Sequence, residues 1–317
     1  MNFPVFDLHC DTSFAMLLPN YDKACSLRKN DLHIDLERAS ALPGYAQCFA
    51  CFTSDNQTLP LPVSPEALFA GELAAITAGV HQNRDMIAQV SSAKEIEENL
   101  EQGKISAILS IEGPAGFGYD PGMLRGLYDL GFRITTLGWN EKNPLTGSHA
   151  TGGGLTFKGE QYVRRAQELG MIIDVSHISD EAFWDIMNIT CAPIVASHSN
   201  SRAVWNVSRN LSDEMFIAIS KTGGVVGINL YAGFLGVQPD LDTVCDHIIH
   251  FLDLDSSGKH IALGGDLDGC DALPAGFSGI QDYPKLADKL LSRGVSETVV
   301  LDIFWNNAIG VVKKCCI

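Results

Sequence analysis

The chain has 317 residues, 46% of them hydrophobic and 19% charged, with 30 glycines, which excludes a disordered chain, a coiled coil and a repeat protein. Its formal charge of −16 argues against binding nucleic acid or anionic membranes, because both need Lys and Arg patches to neutralise phosphates. No apolar run approaches the length of a membrane span, and the first residues carry neither the basic nor the apolar part of a secretory signal.

The first predicted element is a strand over residues 5–11, Val5-Phe6-Asp7-Leu8-His9-Cys10-Asp11, with two polar side chains at the end of an apolar run. Side chains two apart on a strand point the same way, so His9 and Asp11 are placed to share a metal ion while Cys10 faces packing. Further strands are predicted over 46–53, 105–112, 133–139, 171–177, 194–198, 225–231 and 261–266, eight in all. Helical periodicity fills the gaps, most clearly over 65–90, 159–169, 180–187, 212–221, 241–254, 283–291 and 296–309. Ser179 and Ser212 sit where N-caps belong, and Gly131 and Gly170 where helices end before the next strand. Eight alternating units predict a single (β/α)8 barrel over residues 1–317, with long loops over 58–65 and 139–156.

Nine cysteines, an odd number scattered along the chain, predict reduced thiols and a cytoplasmic protein. Cys48-Phe49-Ala50-Cys51 has metal-motif spacing, but it has no second pair and lies inside a buried strand, so packing is the expectation.

Polar residues recur at the strand ends: His9 and Asp11 on the first, Glu112 on the third, His177 on the fifth, His198 on the sixth and Asp266 on the eighth. Each alone reads as ordinary packing or a turn. In a closed barrel the C-terminal ends of all strands share one face, so the six would become neighbours. Three imidazoles and three carboxylates suit Zn²⁺ or a similar divalent ion, and two ions accommodate five ligands better than one.

The motifs Asp7-Leu8-His9-Cys10-Asp11, Ser110-Ile111-Glu112-Gly113, Asp174-Val175-Ser176-His177-Ile178-Ser179, Ser197-His198-Ser199-Asn200, Ser208-Arg209-Asn210 and Gly264-Gly265-Asp266-Leu267-Asp268-Gly269 together resemble the membrane (renal) dipeptidases, peptidase family M19. The resemblance implies a dipeptidase with two zinc ions: His9 and Asp11 on one, His177 and His198 on the other, and Glu112 bridging them. A hydroxide between the metals would attack the peptide carbonyl. Asp266 would move the proton, with Asp268 as the alternative. Arg209 would bind the free C-terminal carboxylate of the dipeptide, and Tyr231 would line the pocket. One departure stands out. Where many members carry a substrate-contacting His after the fourth strand, this chain has Trp139, and His149 in the following loop is the candidate to reach the site instead. Rival readings keep the same metals for a cyclic or N-acyl amide, including a β-lactam, or make the chain a catalytically silent binding protein. Barrels of this size often pair as homodimers, but the sequence carries no interface signal.

Overall fold

The computed structural model describes residues 3–21, 26–55 and 61–316. Cys25 and the start of the predicted 58–65 loop lie outside them.

Nine parallel strands are present among the described residues: β1 (Val5–Cys10), β2 (Tyr45–Phe52), β3 (Ile87–Gln89), β4 (Ile105–Glu112), β5 (Phe132–Thr136), β6 (Ile172–Asp174), β7 (Ile194–Ala196), β8 (Val225–Ile228) and β9 (Ile261–Leu263). Eight of them close a barrel in the order β2-β1-β9-β8-β7-β6-β5-β4, sealed by the β2–β4 pairing. The extra strand, β3, exists because β5 pairs only with Leu109 to Ile111 of β4. That leaves Ile105 to Ala107 of β4 to take Ile87 to Gln89.

The helix predicted over 65–90 therefore needs correction: it spans Pro65–Gln82. Asn83 ends it by bonding the Gly79 carbonyl through its side chain (2.8 Å), while its own carbonyl receives Met86 and Ile87 N–H and turns the chain into β3. Other helices start as expected, with Ser64, Ser179 and Ser212 accepting the N–H three residues on and Asp240 forming a capping box with Thr243. The helix predicted over 296–309 is interrupted by a π turn, Asp302–Asn306, and resumes as Asn307–Cys315. The turn places Asn307 so that its amide bonds the carbonyls of Gly258 and Ile261, tying the helix to β9.

Phe6, Leu8, Cys48, Ile108, Ile172 and Val195 pack inside the barrel with Trp305, Ala308 and Val312, which close the end where the strands begin. Cys48 belongs to that inner cluster and Cys51 to the outer one between strands and helices. The two thiols thus point to opposite sides, and the eight described cysteines are free. No described helix is long and apolar enough to cross a membrane.

Candidate metal centre and cleft

The strand ends bring the polar residues together, though by a route strict alternation did not anticipate. Between Asp7 and Cys10 the register of β1 slips by one residue against β2. Phe6 and Leu8 consequently face the barrel interior, and His9, of opposite parity, still faces the cleft above them. His177, His198 and Asp266 lie two or three residues beyond the ends of β6, β7 and β9, in turns rather than on strands. His177 (φ 72°), Asp266 (φ 55°) and Asp268 (φ 67°) adopt left-handed backbone, as do only two other non-glycine residues among those described. Such strain persists where surrounding structure enforces it.

Glu112, the last residue of β4, sits at the centre. One oxygen lies 3.3 Å from His9 Nε2; the other lies 2.9 Å from His177 Nε2 and 3.8 Å from His198 Nε2. Asp11 Oδ2 is 3.3 Å from His9 Nε2, and Asp266 groups with His9 and Asp11. The rings of His9 and His198 stack at 3.8 Å.

Hydrogen bonds on the far side of two rings fix which nitrogen carries the proton. Ser197 Oγ donates to Asp174 Oδ2, so its lone pairs accept His198 Nδ1–H (2.6 Å). Asn140 Oδ1 accepts His177 Nδ1–H (2.9 Å). The Nε2 atoms of His177 and His198 therefore present lone pairs to each other at 2.8 Å, beside a carboxylate oxygen. Two lone pairs at that distance repel unless a cation lies between their bearers, so the donor set fits a metal ion. Burial, aided by Arg209, keeps His177 far below the usual imidazole range; burial and then His9 do the same for His198. Both are thus neutral, as metal ligands must be. Burial would also lower His9, but Glu112 and Asp11 override it and hold it well above that range, a proton that a cation shared with those carboxylates would displace. Burial and the Asp11 charge push Glu112 up.

Asp11, Glu112, His177 and Asp266 floor a cleft of about 500 Å³. Trp139 and Tyr231 line it; Arg209 lies beside it, its guanidinium 5.6 Å from the ring of Phe234, another lining residue, whereas His149 lines a neighbouring depression. Arg209 is 3% exposed; Nη1 donates to Ser199 Oγ (2.8 Å), and Nε and Nη2 have no partner.

A family model described as membrane dipeptidase, peptidase family M19, matches residues 1–315. The chain belongs to the M19 dipeptidase family. It is a metallo-dipeptidase, a hydrolase of the peptide bond in dipeptides. It is 32% identical over 341 residues to an uncharacterised dipeptidase of Schizosaccharomyces pombe, covering 98% of this chain and 81% of the relative. A dipeptidase of Aspergillus oryzae is 32% identical over 238 residues, 72% of this chain and 56% of the relative. In fold it is similar to a metallopeptidase from Rhodobacter sphaeroides solved with a phosphinate mimic of the dipeptide L-Ala-D-Ala, with TM-score 0.88 and 23% identity, covering 99% of this chain and 100% of that one.

Within this M19 chain the supporting residues Asn140 and Asn229 escaped sequence reading. Asn229 Nδ2 donates to Asp266 Oδ2 (3.0 Å) and also to the His198 carbonyl. Asp268 spends its oxygens on Thr12 Oγ1 and the His33 N–H, both at 2.6 Å, which leaves it a brace between loops. His149 uses both ring nitrogens, Nε2 on Asn140 Oδ1 and Nδ1 on Ser208 Oγ, each at 2.9 Å. Burial and then Arg209 bring its pKa down to about 4. The ring links the His177 side of the cluster to the loop bearing Arg209. Ser197 and Asp174 do lie in the polar motifs around His198 and His177, but only the β6–β7 pairing reveals that they act on one ring.

Proposed function

We propose that this metallo-dipeptidase holds two zinc ions, with His9 and Asp11 on one, His177 and His198 on the other, and Glu112 shared. The observation that carries the reading is the pair of Nε2 lone pairs facing each other at 2.8 Å beside Glu112, each ring's other nitrogen already committed as donor. His9 and Asp11 form the second half of the set, and Asp11 Oδ1, buried without a hydrogen-bond partner, is a free donor to an ion. When bound, such a zinc pair would activate a water molecule as nucleophile at neutral pH and supply Lewis-acid stabilisation of charge on the carbonyl oxygen.

The chain's own groups do the rest. Asp266, oriented by Asn229 and held above the usual carboxylate range chiefly by burial and Asp11, takes a proton from the attacking water at its free oxygen and returns it to the amine as the C–N bond breaks. Asp268 is already engaged, which favours Asp266 for this role. Arg209 supplies two unpaired guanidinium donors for the substrate's C-terminal carboxylate, a planar match for a bidentate acceptor. Tyr231 and Trp139 form walls of the cleft, and His149 keeps the loop between them and Arg209 in place. Residues 1–317 act as one catalytic domain. Eight free thiols among the described cysteines support a reducing, cytoplasmic setting.

Dialysis against a strong chelator should abolish dipeptide hydrolysis, and stoichiometric Zn²⁺ should restore it, with two ions per chain by elemental analysis. Activity that survives metal removal, or saturation at one ion, refutes the two-zinc reading.

A further inference from the structure

We propose that Phe14, Phe52 and Trp139 form the pocket for the side chain of the substrate's N-terminal residue, so that the enzyme prefers dipeptides beginning with a large apolar residue. The inference rests on the reading of Arg209 as the anchor of the C-terminal carboxylate.

The closed barrel sets the geometry. Arg209 belongs to the connection from β7 to β8, and Phe52 ends β2. Around the ring, β2 lies four strands from β7 in either direction, through β1, β9 and β8 or through β4, β5 and β6. Their strands thus stand opposite each other; Arg209 is tied to the β7 side by its bond to Ser199, while, of the cluster, His9 and Glu112 sit on the strands that flank β2 and His198 follows β7. A dipeptide whose carboxylate sits on Arg209 and whose scissile carbonyl lies over that cluster must extend its first residue toward β2.

What it meets there is apolar and already formed. Phe52 packs edge-on against Phe14 (5.5 Å between centroids) and against Trp139 (5.0 Å), and Leu18 continues the surface. Phe52 is only 5% exposed, and its backbone N–H is fixed by Glu72 Oε2 at 2.6 Å. Phe14 and Trp139 are half-buried, leaving ring area for a ligand. A wall that is rigid before binding spends little of its contact energy on ordering itself. Because an apolar pocket discriminates by burying area, it rewards Leu or Phe over Gly and rejects a charged side chain.

The test is a dipeptide series Xaa-Ala, with Xaa as Gly, Leu, Phe or Asp, beside a matched series Ala-Xaa, assayed on the zinc-loaded enzyme. Phosphinic isosteres of Leu-Ala and Gly-Ala, titrated calorimetrically, provide a binding readout. In the wild type, kcat/KM for Leu-Ala and Phe-Ala should exceed that for Gly-Ala by about 10–200-fold, and the isosteres should show a Kd ratio in the same direction. Trp139→Ala should compress both ratios to within a few-fold. Phe14→Ala, a change at a half-buried position on a short helix, reads the same ratios should Trp139→Ala fold poorly. Hydrolysis that is flat across Xaa-Ala, or that discriminates only in Ala-Xaa, overturns this inference and leaves the dipeptidase reading standing. Equal loss on all substrates in both variants also overturns it. Failure to hydrolyse any member overturns the reading of the site itself.

Discussion

Replacing Arg209 with Met should separate what the residue does for the substrate from what it does for the fold. In the free protein the guanidinium is buried with Nε and Nη2 unpaired, and each such donor costs about 1–3 kcal/mol. The substitution gives up one hydrogen bond to Ser199, worth about 1 kcal/mol, and keeps most of the side-chain volume against Phe234. Stability should therefore hold or rise, by on the order of 1 kcal/mol. Function should move the other way. Two charge-assisted hydrogen bonds to a desolvated carboxylate are worth about 3–5 kcal/mol, which is about 10²–10⁴-fold in kcat/KM. The assay is kcat/KM for a dipeptide and for its C-terminal amide, with melting temperature measured on the same preparations. The dipeptide should lose its advantage over the amide while the melting temperature stays put or climbs. A fall of many degrees with both substrates impaired alike would refute the reasoning and make Arg209 a structural residue.

Ser197→Ala removes the acceptor that fixes the proton on His198 Nδ1, so Zn²⁺ affinity should fall about 10–100-fold in competition with a chromogenic chelator; unchanged affinity would show that the Asp174–Ser197 relay does not orient the ring. Glu72 is a different test, of a buried carboxyl that bonds the Phe52 N–H and feels the charges of Asp11 and Glu112. Burial holds its carboxyl well above the usual range, so the folded chain keeps a proton that the unfolded chain releases above about pH 4.3. Its contribution to stability is complete below that pH and erodes, at up to about 1.4 kcal/mol per pH unit, as the pH climbs toward the folded value. Glu72→Gln should thus raise the melting temperature more at pH 8 than at pH 5. An equal shift at both would mean that Glu72 does not retain its proton.

Much of the candidate metal cluster could be read from the chain because His, Asp and Glu at the end of an apolar run are chemically distinctive. His9, Asp11, Glu112, His177, His198 and Asp266 each end an apolar run, and the alternation of runs with amphipathic segments already implies the closed barrel that gathers them. The supporting groups were harder. Asn140, Ser197 and Asn229 look like any polar loop residue, and their partners lie 37, 1 and 37 positions away. Trp139 and His149 show the same contrast on the substrate side. Both follow β5, yet one lines the cleft beside Phe52 and the other turns away to bridge Asn140 and Ser208.

By itself, then, the sequence determined the period of strand and helix, the free thiols' unsuitability for a disulfide framework, and the residues able to hold a metal, since these depend on side-chain chemistry and local spacing. Tertiary structure alone decided how those residues are aimed. A one-residue slip in β1 lets His9 face the cleft while Leu8 stays in the barrel, and left-handed turns swing His177 and Asp266 inward beyond their strands. Closure of the ring set β7, whose following connection carries Arg209, opposite β2, which ends in Phe52. These are consequences of register, backbone strain and cyclic order, which arise only when distant segments pair, and no window of the chain contains them.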